Sequence, residues 1–314
     1  MAGRGGMTTV LAAPPVDRLA AVTPTLRQIG DLKRVRVAHA EGSVAERAFS
    51  RAWAALVGGA DPAVVADREC AAALAGARLG GMDAATLTAC GLAQTEVETV
   101  LARAVDELVG SLHPDTGRRL RAALPHLVDH ALPDAPIPPF VPALRRQPRA
   151  GATAAGQPRL VVEPAENHAE HCWAVAVYGA LLADDTGADP AQAFLLGLAH
   201  HLHNARLPDA GFAGELLLGA YLTPMTDRLT EWALAELPEA LAVRVNAVLA
   251  FRVDADTPLG RTFHSADVLD RVLQVHHHAR AAAFTVEQAL VDLALVHDGP
   301  VVDYQRAVLR AAGL

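Results

Sequence analysis

The chain has 314 residues, a net charge of −8, and an apolar fraction of 52% of which aromatic residues supply very little. Alanine and leucine carry most of this apolar content and β-branched runs are few, a composition that predicts helix nearly throughout. The modest, dispersed negative charge is not the basic footprint of a nucleic-acid-binding protein. Apolar runs fall short of the ~18 residues that a membrane span needs. We therefore expect neither nucleic acid nor a membrane as a partner.

The lysine and cysteine content further restricts the class of protein. Lys33 is the only lysine, so a P-loop with its phosphate-binding lysine is excluded. The three cysteines (Cys70, Cys90 and Cys172) form no CxxC pattern, which fits a reducing compartment without a disulfide framework. The first residues have no convincing signal peptide. We therefore predict a cytoplasmic protein.

The first part of the chain is predicted to be a tail followed by a helical domain. Residues 1–22 have the composition of a loosely attached tail. Helix signals then recur over residues 23–132, with Ser43 and Asp61 as good N-caps before apolar runs. The clearest apolar stripe at helical spacing lies within residues 95–112. We predict an N-terminal helical domain over 23–132.

A proline-rich segment follows. Residues 133–164 contain eight prolines, so the chain there is predicted to be a linker or an extended strap over the surface. We place the domain boundary in this segment, and a second helical domain over residues 165–314. The predicted fold is therefore all-α, with two unequal parts.

The second part is organised around residues 166–209, which hold five histidines: His168, His171, His200, His201 and His203. Apolar residues recur there at helical spacing and predict two helices joined by a turn at residues 184–190. Antiparallel packing of these helices places the start of the first beside the end of the second. His171 and the His200–His201 pair can then converge on one metal ion.

An oxygen ligand for such a site is expected further along the chain. Asp267 lies near the start of another amphipathic helix, which we predict to open at His264 or Ser265. Asp267 and Asp270 are three residues apart and share a helix face with Arg271. The candidate metal ligands are therefore His171, His200, His201 and Asp267.

These residues resemble the HD metal-dependent phosphohydrolase superfamily. The shared order is a His, a His-led pair 29 residues later, and a late Asp in an AD-x-L-D context. The sequence AEHCWAVA around His171 is similar to the AEHSWRVA opening of the 5′-deoxynucleotidase-like branch. The resemblance covers residues 163–314 and implies an HD-like helical domain.

Two positions depart from the family pattern. His201 stands where the family has the Asp that ligates the metal, and Asn204 stands where it has a Glu that helps to activate water. Three histidines and one aspartate favour a divalent transition metal (Fe, Zn, Co, Ni or Cu) over Mg²⁺ or Ca²⁺. Asp209 matches the remaining carboxylate of the family.

The resemblance implies hydrolysis of a phosphoester of a small molecule or nucleotide. Asp209 then handles the proton, Asn204 can bind substrate or water, and Arg206 or Arg271 holds the phosphate. His168, His203 and His264 are candidates for groups that support the ligands or contact the substrate.

Two alternatives stay open. Three histidines and one carboxylate also suit a mononuclear iron or copper enzyme with oxidative chemistry. Loss of the family's Asp and Glu equally suits a catalytically degenerate protein that acts as a sensor or binding partner. The expected partner is a small-molecule substrate, and the oligomeric state, a homodimer included, is left open.

Overall fold

The computed structural model describes residues 16–128, 132–133, 135–281, 285–292 and 295–314. The helices of the first part are α1 Val16–Asp31, α2 Val44–Val57, α3 Pro62–Leu79, α4 Ala84–Ala89, α5 Gln94–Val109 and α6 Pro114–Val128. The helices that follow are α7 Phe140–Arg146, α8 His168–Thr186, α9 Pro190–Ala199, α10 Gly211–Leu218, α11 Leu222–Leu234, α12 Glu239–Leu249, α13 Pro258–Ala281 and α14 Val302–Ala311.

Short elements fill the connections. Two strands, β1 Arg36–Val37 and β2 Ala40–Ser43, form a small antiparallel hairpin. Single 3-10 turns lie at Leu202–Ala205, Gly219–Tyr221 and Ala250–Val253, and a π-helical turn lies at Gln288–Asp292. The all-α prediction is confirmed. In the described part of the chain, no helix has both the length and the hydropathy that crossing a membrane requires.

Helix α8 is the central element. Asn167 and Glu170 form a capping box that starts it, and Gly187 ends it with a left-handed φ of 75°. All residues from 168 to 183 are buried, because the helix is surrounded by packing partners on every side. A helix that is apolar all round lies in a core, and this one places His171 at its buried first turn.

Helix α9 crosses α8 at very close range. A Cβ at Gly197 would lie only 2.4 Å from the backbone of Ala176, so only glycine permits this approach. Asp189 caps α9, and Pro190 occupies its first turn. The predicted pair of antiparallel helices joined by a short turn is therefore confirmed, and its close crossing brings the end of α9 to the start of α8.

Two predicted boundaries are wrong. Helix α1 begins at Val16 and buries Leu19 and Val22, so the predicted tail is helical from residue 16, while residues 1–15 lie outside the described residues. Helix α13 begins at Pro258 and not at His264 or Ser265. The Thr257 side chain accepts a hydrogen bond from the Gly260 N–H, and this Thr-Pro start precedes the apolar stripe that suggested the later boundary.

The proline-rich segment is packed against the helices. It contains α7, whose Phe140, Val141 and Leu144 are buried, and Phe140 contacts Trp53 at 4.9 Å between ring centroids. Beyond α7 the chain runs in extended form, with isolated bridges from Pro148 to Asn167 and from Ala152 to Leu160. The described residues here form a strap that covers the start of α8, and not a free linker.

One hydrophobic core runs through both parts of the chain. Its buried members form one contiguous cluster and range in sequence from Leu19 in α1 to Ala312 after α14. Helix α8 packs against α2 and α3 as well as against α9 and α13. The division into two domains at residues 133–164 remains a prediction. The two parts share one hydrophobic core and therefore pack closely against each other.

Candidate metal centre

Four elements bring the predicted ligands together. His171 lies in the first turn of α8, His200 is the C-cap of α9, and His201 follows at the start of the 3-10 turn. Asp267 lies on α13, which packs along both α8 and α9. The ring centroids of His200 and His201 are 4.3 Å apart, and both lie within 5.2 Å of the His171 centroid.

Each of the three imidazoles has its Nδ1 committed to an acceptor. His171 Nδ1 lies 2.8 Å from Asp270 Oδ2, and His200 Nδ1 lies 2.7 Å from the Gly197 carbonyl. His201 Nδ1 lies 2.8 Å from Asn204 Oδ1, whose amide nitrogen in turn donates to the Leu207 carbonyl. Because these partners accept and do not donate, the proton of each ring lies on Nδ1 and the lone pair on Nε2.

The Nε2 atoms of His171 and His200 face each other, and His201 lies beside them. His171 Nε2 and His200 Nε2 are 3.1 Å apart, and the ligand atoms of the three rings all lie within 4.8 Å of one another. Asp267 Oδ1 is 3.4 Å from His171 Nε2. Two lone pairs and a carboxylate oxygen at these distances repel one another unless a cation lies between them. The donor set therefore fits a metal ion.

Burial keeps the imidazoles of His200 and His201 neutral. It lowers the pKa of His200 well below its ordinary value, and the neighbouring His171 adds to the effect. It also lowers the pKa of His201 well below the ordinary value, with His200 as the next contributor. Neutral imidazole is the form that ligates metals, so the electrostatics agree with the arrangement of the lone pairs.

Asp267 is held as a carboxylate. Burial acts to raise its pKa, but the charge of Arg271 and the contact with His171 outweigh burial, and the pKa lies well below the ordinary value. Arg271 lies 3.2 Å from Asp267 Oδ2, four residues along α13, as expected for a shared helix face. One oxygen of Asp267 thus faces the histidines while the other pairs with Arg271.

A second acidic group lies behind His171 and already holds a cation. Glu166, His171 and Asp270 have ligand atoms close enough to bind an ion. The Nζ atom of Lys33 lies 2.5 Å from both Glu166 Oε1 and Asp270 Oδ1. The Lys33 ammonium therefore occupies the position between the two carboxylates and offsets part of their charge, and a metal does not fit there.

A cavity of about 240 Å³ opens beside the histidines. His201, Asp267 and Arg271 lie in its wall, together with Arg149 from the proline-rich strap. Arg149 Nη1 is 3.3 Å from His201 Nε2 and acts as donor to it. Much of the remaining wall is apolar: Leu160, Val161, Val162, Phe212, Val275 and Leu295. Two arginines thus flank a site with apolar surroundings.

The two predicted catalytic residues have different surroundings. Asp209 lies in the cavity wall, and its two oxygens accept the backbone N–H groups of Ala150 and Gly211 at 2.8 and 2.9 Å. Asn204 is buried, lies outside the cavity wall and holds His201 through the hydrogen bond described above. Asn204 therefore orients His201 and does not line the cavity.

His168 and His203 lie around His201. His168 is fully buried, 4.8 Å from the His201 ring centroid and 3.6 Å from Asp209 Oδ2. Neither of its ring nitrogens has a hydrogen-bond partner within the described part of the chain, and burial lowers its pKa far below the ordinary value. The His203 ring centroid is 5.6 Å from that of His201, and burial lowers its pKa to about 4.

The other two predicted residues lie further from the ligands. His264 is buried on α13 beside Phe263 and does not line the cavity. The Arg206 side chain is 57% exposed, lies over the Trp232 ring and approaches Glu236, because it leaves the 3-10 turn on the side away from the cavity. The structure does not bring Arg206 to the cavity.

Reasoning from the sequence missed Arg149, Glu166 and the role of Lys33. Arg149 lies in the proline-rich segment, where no periodic pattern marks individual side chains. Lys33 stood out as the only lysine, but nothing in the sequence connects it with residues more than 130 positions away. The sequence predicted that Asp270 shares a helix face with Asp267 but indicated no role for it.

Comparison with known families agrees with this geometry. A family model described as an HD domain matches residues 141–290. The matched region contains all four predicted ligands and supports placing this part of the chain in the HD-domain superfamily, a group of metal-dependent, phosphohydrolase-type proteins. Searches of curated proteins and of solved structures found no significant match.

Proposed function

We propose that the protein is a metal-dependent hydrolase of HD type that cleaves a phosphoester of a small molecule or nucleotide. His171, His200, His201 and Asp267 hold one divalent transition metal in this proposal. Such a metal, when bound, lowers the pKa of a coordinated water and polarises a phosphoryl oxygen. The finer relationship to the 5′-deoxynucleotidase-like branch is part of the proposal and rests on the sequence around His171.

One observation carries the proposal. Each of the three imidazoles gives its Nδ1 proton to a protein acceptor. The Nε2 atoms of His171 and His200 then lie 3.1 Å apart, Asp267 Oδ1 lies 3.4 Å from His171 Nε2, and His201 offers a ligand atom within 4.8 Å of those two rings. Metal-bound histidines characteristically donate their other ring N–H in this way, because the acceptor fixes the tautomer and the ring orientation. A merely structural histidine cluster has no need for this common orientation.

The donor set selects a class of metal. Three imidazole nitrogens and one carboxylate suit Fe, Zn, Co, Ni or Cu, whereas Mg²⁺ and Ca²⁺ require mostly oxygen ligands. Since His201 replaces a carboxylate of the family pattern, the site has one negative charge fewer. This change moves the preference further from the hard cations.

Residues of the cavity are suited to a phosphoester. Arg149 and Arg271 are both largely buried and offer guanidinium groups for the phosphoryl oxygens on either side of the ligands. Asp209 is the carboxylate of the cavity wall that can accept or return a proton, and its two backbone hydrogen bonds fix its position. Arg149 takes the place that the sequence suggested for Arg206.

The open cavity favours an active site over a degenerate one. A site that has lost its function is free to fill with side chains, yet His201 and Asp267 both border a space large enough for part of a small molecule. Oxidative chemistry at a mononuclear iron or copper ion uses the same donor set, so metal identity decides between the two enzyme proposals.

The test is metal content and turnover of the freshly purified chain. We expect close to one equivalent of zinc, iron, cobalt, nickel or copper by elemental mass spectrometry, and hydrolysis of para-nitrophenyl phosphate by the loaded protein. His201→Ala should lose most of the metal because it removes one of four ligands. Asp209→Asn should keep the metal and lower turnover by about 10²-fold or more.

The matched control is His203→Ala, which removes a nearby imidazole outside the converging group and should retain the metal. Absence of metal in the wild type, even after reconstitution, would contradict the proposal. It would leave the alternative of a catalytically degenerate protein. Iron or copper with oxygen consumption, and no phosphatase activity, would replace hydrolysis by the oxidative alternative.

A further inference from the structure

Lys33 connects the N-terminal part of the chain with the candidate metal centre. Lys33 lies in the turn between α1 and β1, and its side chain is only 3% exposed. Its Nζ atom is 2.5 Å from Asp270 Oδ1, and the other oxygen of Asp270 lies 2.8 Å from His171 Nδ1. A continuous chain of contacts therefore runs from Lys33 through Asp270 to the imidazole of His171.

Burial makes this cation necessary. The side chains of Asp270 and Glu166 are 1% and 7% exposed, so water has little access to either carboxylate. Uncompensated carboxylates are very costly at such depth, whereas an ammonium that contacts both offsets the cost. Lys33 contacts Asp270 and Glu166 directly, whereas Arg149 lies 4.0 Å from the second oxygen of Glu166.

A second contact holds the start of α8 from the same side. Glu46 of α2 accepts a hydrogen bond of 2.7 Å from the side chain of Asn167, the N-cap of α8. Glu46 is itself part of the capping box that starts α2. The N-terminal helices thus fix both the beginning of the helix that carries His171 and the carboxylate that orients its ring.

We propose that Lys33 is a positioning residue of the metal centre. It fixes the position of Asp270 as the acceptor for the Nδ1 proton of His171 and thereby keeps the Nε2 atom of His171 facing His200 and Asp267. The centre is consequently shared between the region that matches the HD domain and the helices before it. The effect on metal affinity rests on the proposed function, whereas the effect on the His171 tautomer does not.

A purely structural role for Lys33 makes a different prediction. If the ammonium only offsets buried negative charge, its loss lowers stability but leaves the His171 tautomer and the metal affinity of the folded protein unchanged. Removal of the cation from another buried carboxylate should then have the same consequences. Arg51 offers this comparison, because it binds the buried carboxylate of Glu69 through two hydrogen bonds of 2.8 Å, away from the centre.

The experiment compares Lys33→Met, Lys33→Arg and Arg51→Met in the full chain. The dissociation constant for Co²⁺ is measured by competition with a chelator, and the fold is checked by circular dichroism. We expect Lys33→Met to weaken Co²⁺ binding by about 10–100-fold, the range typical of lost outer-shell partners. Lys33→Arg should restore part of the loss, and Arg51→Met should stay within twofold of the wild type.

A second variant covers the case in which Lys33→Met does not fold. Lys33→Met/Glu166→Gln removes one buried anion together with the cation, so it costs less stability while Asp270 still lacks its ammonium. The readout for the apo protein is the tautomer of His171 by ¹⁵N NMR. We expect the wild type to carry the proton on Nδ1, and the double variant to show a mixture of tautomers.

The outcomes separate the two proposals. A folded Lys33→Met or double variant with wild-type Co²⁺ affinity and an unchanged His171 tautomer would overturn the role of Lys33. A wild type that binds no Co²⁺ overturns the proposed metal function, and the apo tautomer measurement then still decides on Lys33.

Discussion

At the scale of single residues, the groups behind the ligands define the candidate site. Asp270, the Gly197 carbonyl and the Asn204 amide each accept one Nδ1 proton and so orient one ring. Asn204 stands where the family pattern has a glutamate. The structure gives it a different task, because its amide orientation is fixed by the bond to Leu207 and its oxygen holds His201.

The task of Asn204 can be measured directly. Asn204→Leu removes the acceptor for His201 Nδ1, so we expect Co²⁺ affinity to fall by about 10–100-fold in a folded protein. Asn204→Asp supplies a charged acceptor and should retain or strengthen binding, since a carboxylate raises the basicity of the ring. Both are read by chelator competition.

Asn246→Leu, on the exposed face of α12, is the matched control and should bind Co²⁺ like the wild type. If Asn204→Leu binds Co²⁺ as tightly as this control, then Asn204 does not orient a ligand, and the position of the His201 ring has another cause.

At the scale of elements, the crossing of α8 and α9 determines where the histidines meet. Glycine at 197 permits the backbones to approach so closely that a methyl group would overlap Ala176. The Gly197 carbonyl also accepts the Nδ1 proton of His200. Packing and ligand orientation therefore depend on the same residue.

Gly197→Ala should accordingly affect both stability and metal binding. The added methyl group must push the helices apart, a form of overpacking that costs about 1–3 kcal/mol of unfolding free energy. Because the shift moves His200 away from His171, we expect weaker Co²⁺ binding as well. Urea denaturation and chelator competition give the two quantities.

Gly76→Ala is the control. Gly76 lies inside α3, where a Cβ meets Leu32 and the Gly81 Cα at ordinary contact distances, so helix propensity makes this change neutral or stabilising by up to about 1 kcal/mol. Equal effects of the two substitutions would show that the close crossing does not explain the glycine at 197.

At the scale of the whole molecule, the shared core connects the N-terminal helices with the region that matches the HD domain. Trp53 of α2 packs on Phe140 of α7, and α8 buries part of its surface against α2 and α3. Tyr178 of α8 donates a hydrogen bond of 2.6 Å to the Leu26 carbonyl in α1. The second part of the chain thus lacks a complete apolar surround of its own.

A chain limited to residues 135–314 tests this dependence. We expect it to lose cooperative thermal unfolding, because α8 exposes apolar surface that the N-terminal helices normally cover. Circular dichroism during heating gives the measurement, and residues 16–314 serve as the control that should unfold like the full chain. Cooperative unfolding of 135–314 near the wild-type midpoint would instead support an independent domain after residue 133.

The sequence determined the helical class, the α8–α9 pair and the order of the candidate ligands. Caps, glycine stops and apolar spacing are local signals, so Asn167 before α8 and Asp189 before α9 mark their helices without knowledge of the fold. The start of α13 was misplaced because its Thr257–Pro258 signal precedes the apolar stripe by several residues.

Only the tertiary structure decided which groups surround the ligands. Lys33 meets Glu166 and Asp270 across 133 and 237 positions of sequence, and Arg149 meets His201 across 52. Contacts at such separations depend on how the helices pack. The partner of a buried charge is set by this packing, which no local sequence pattern encodes. The order of the ligands is therefore a property of the sequence, while their orientation and charge environment belong to the folded molecule.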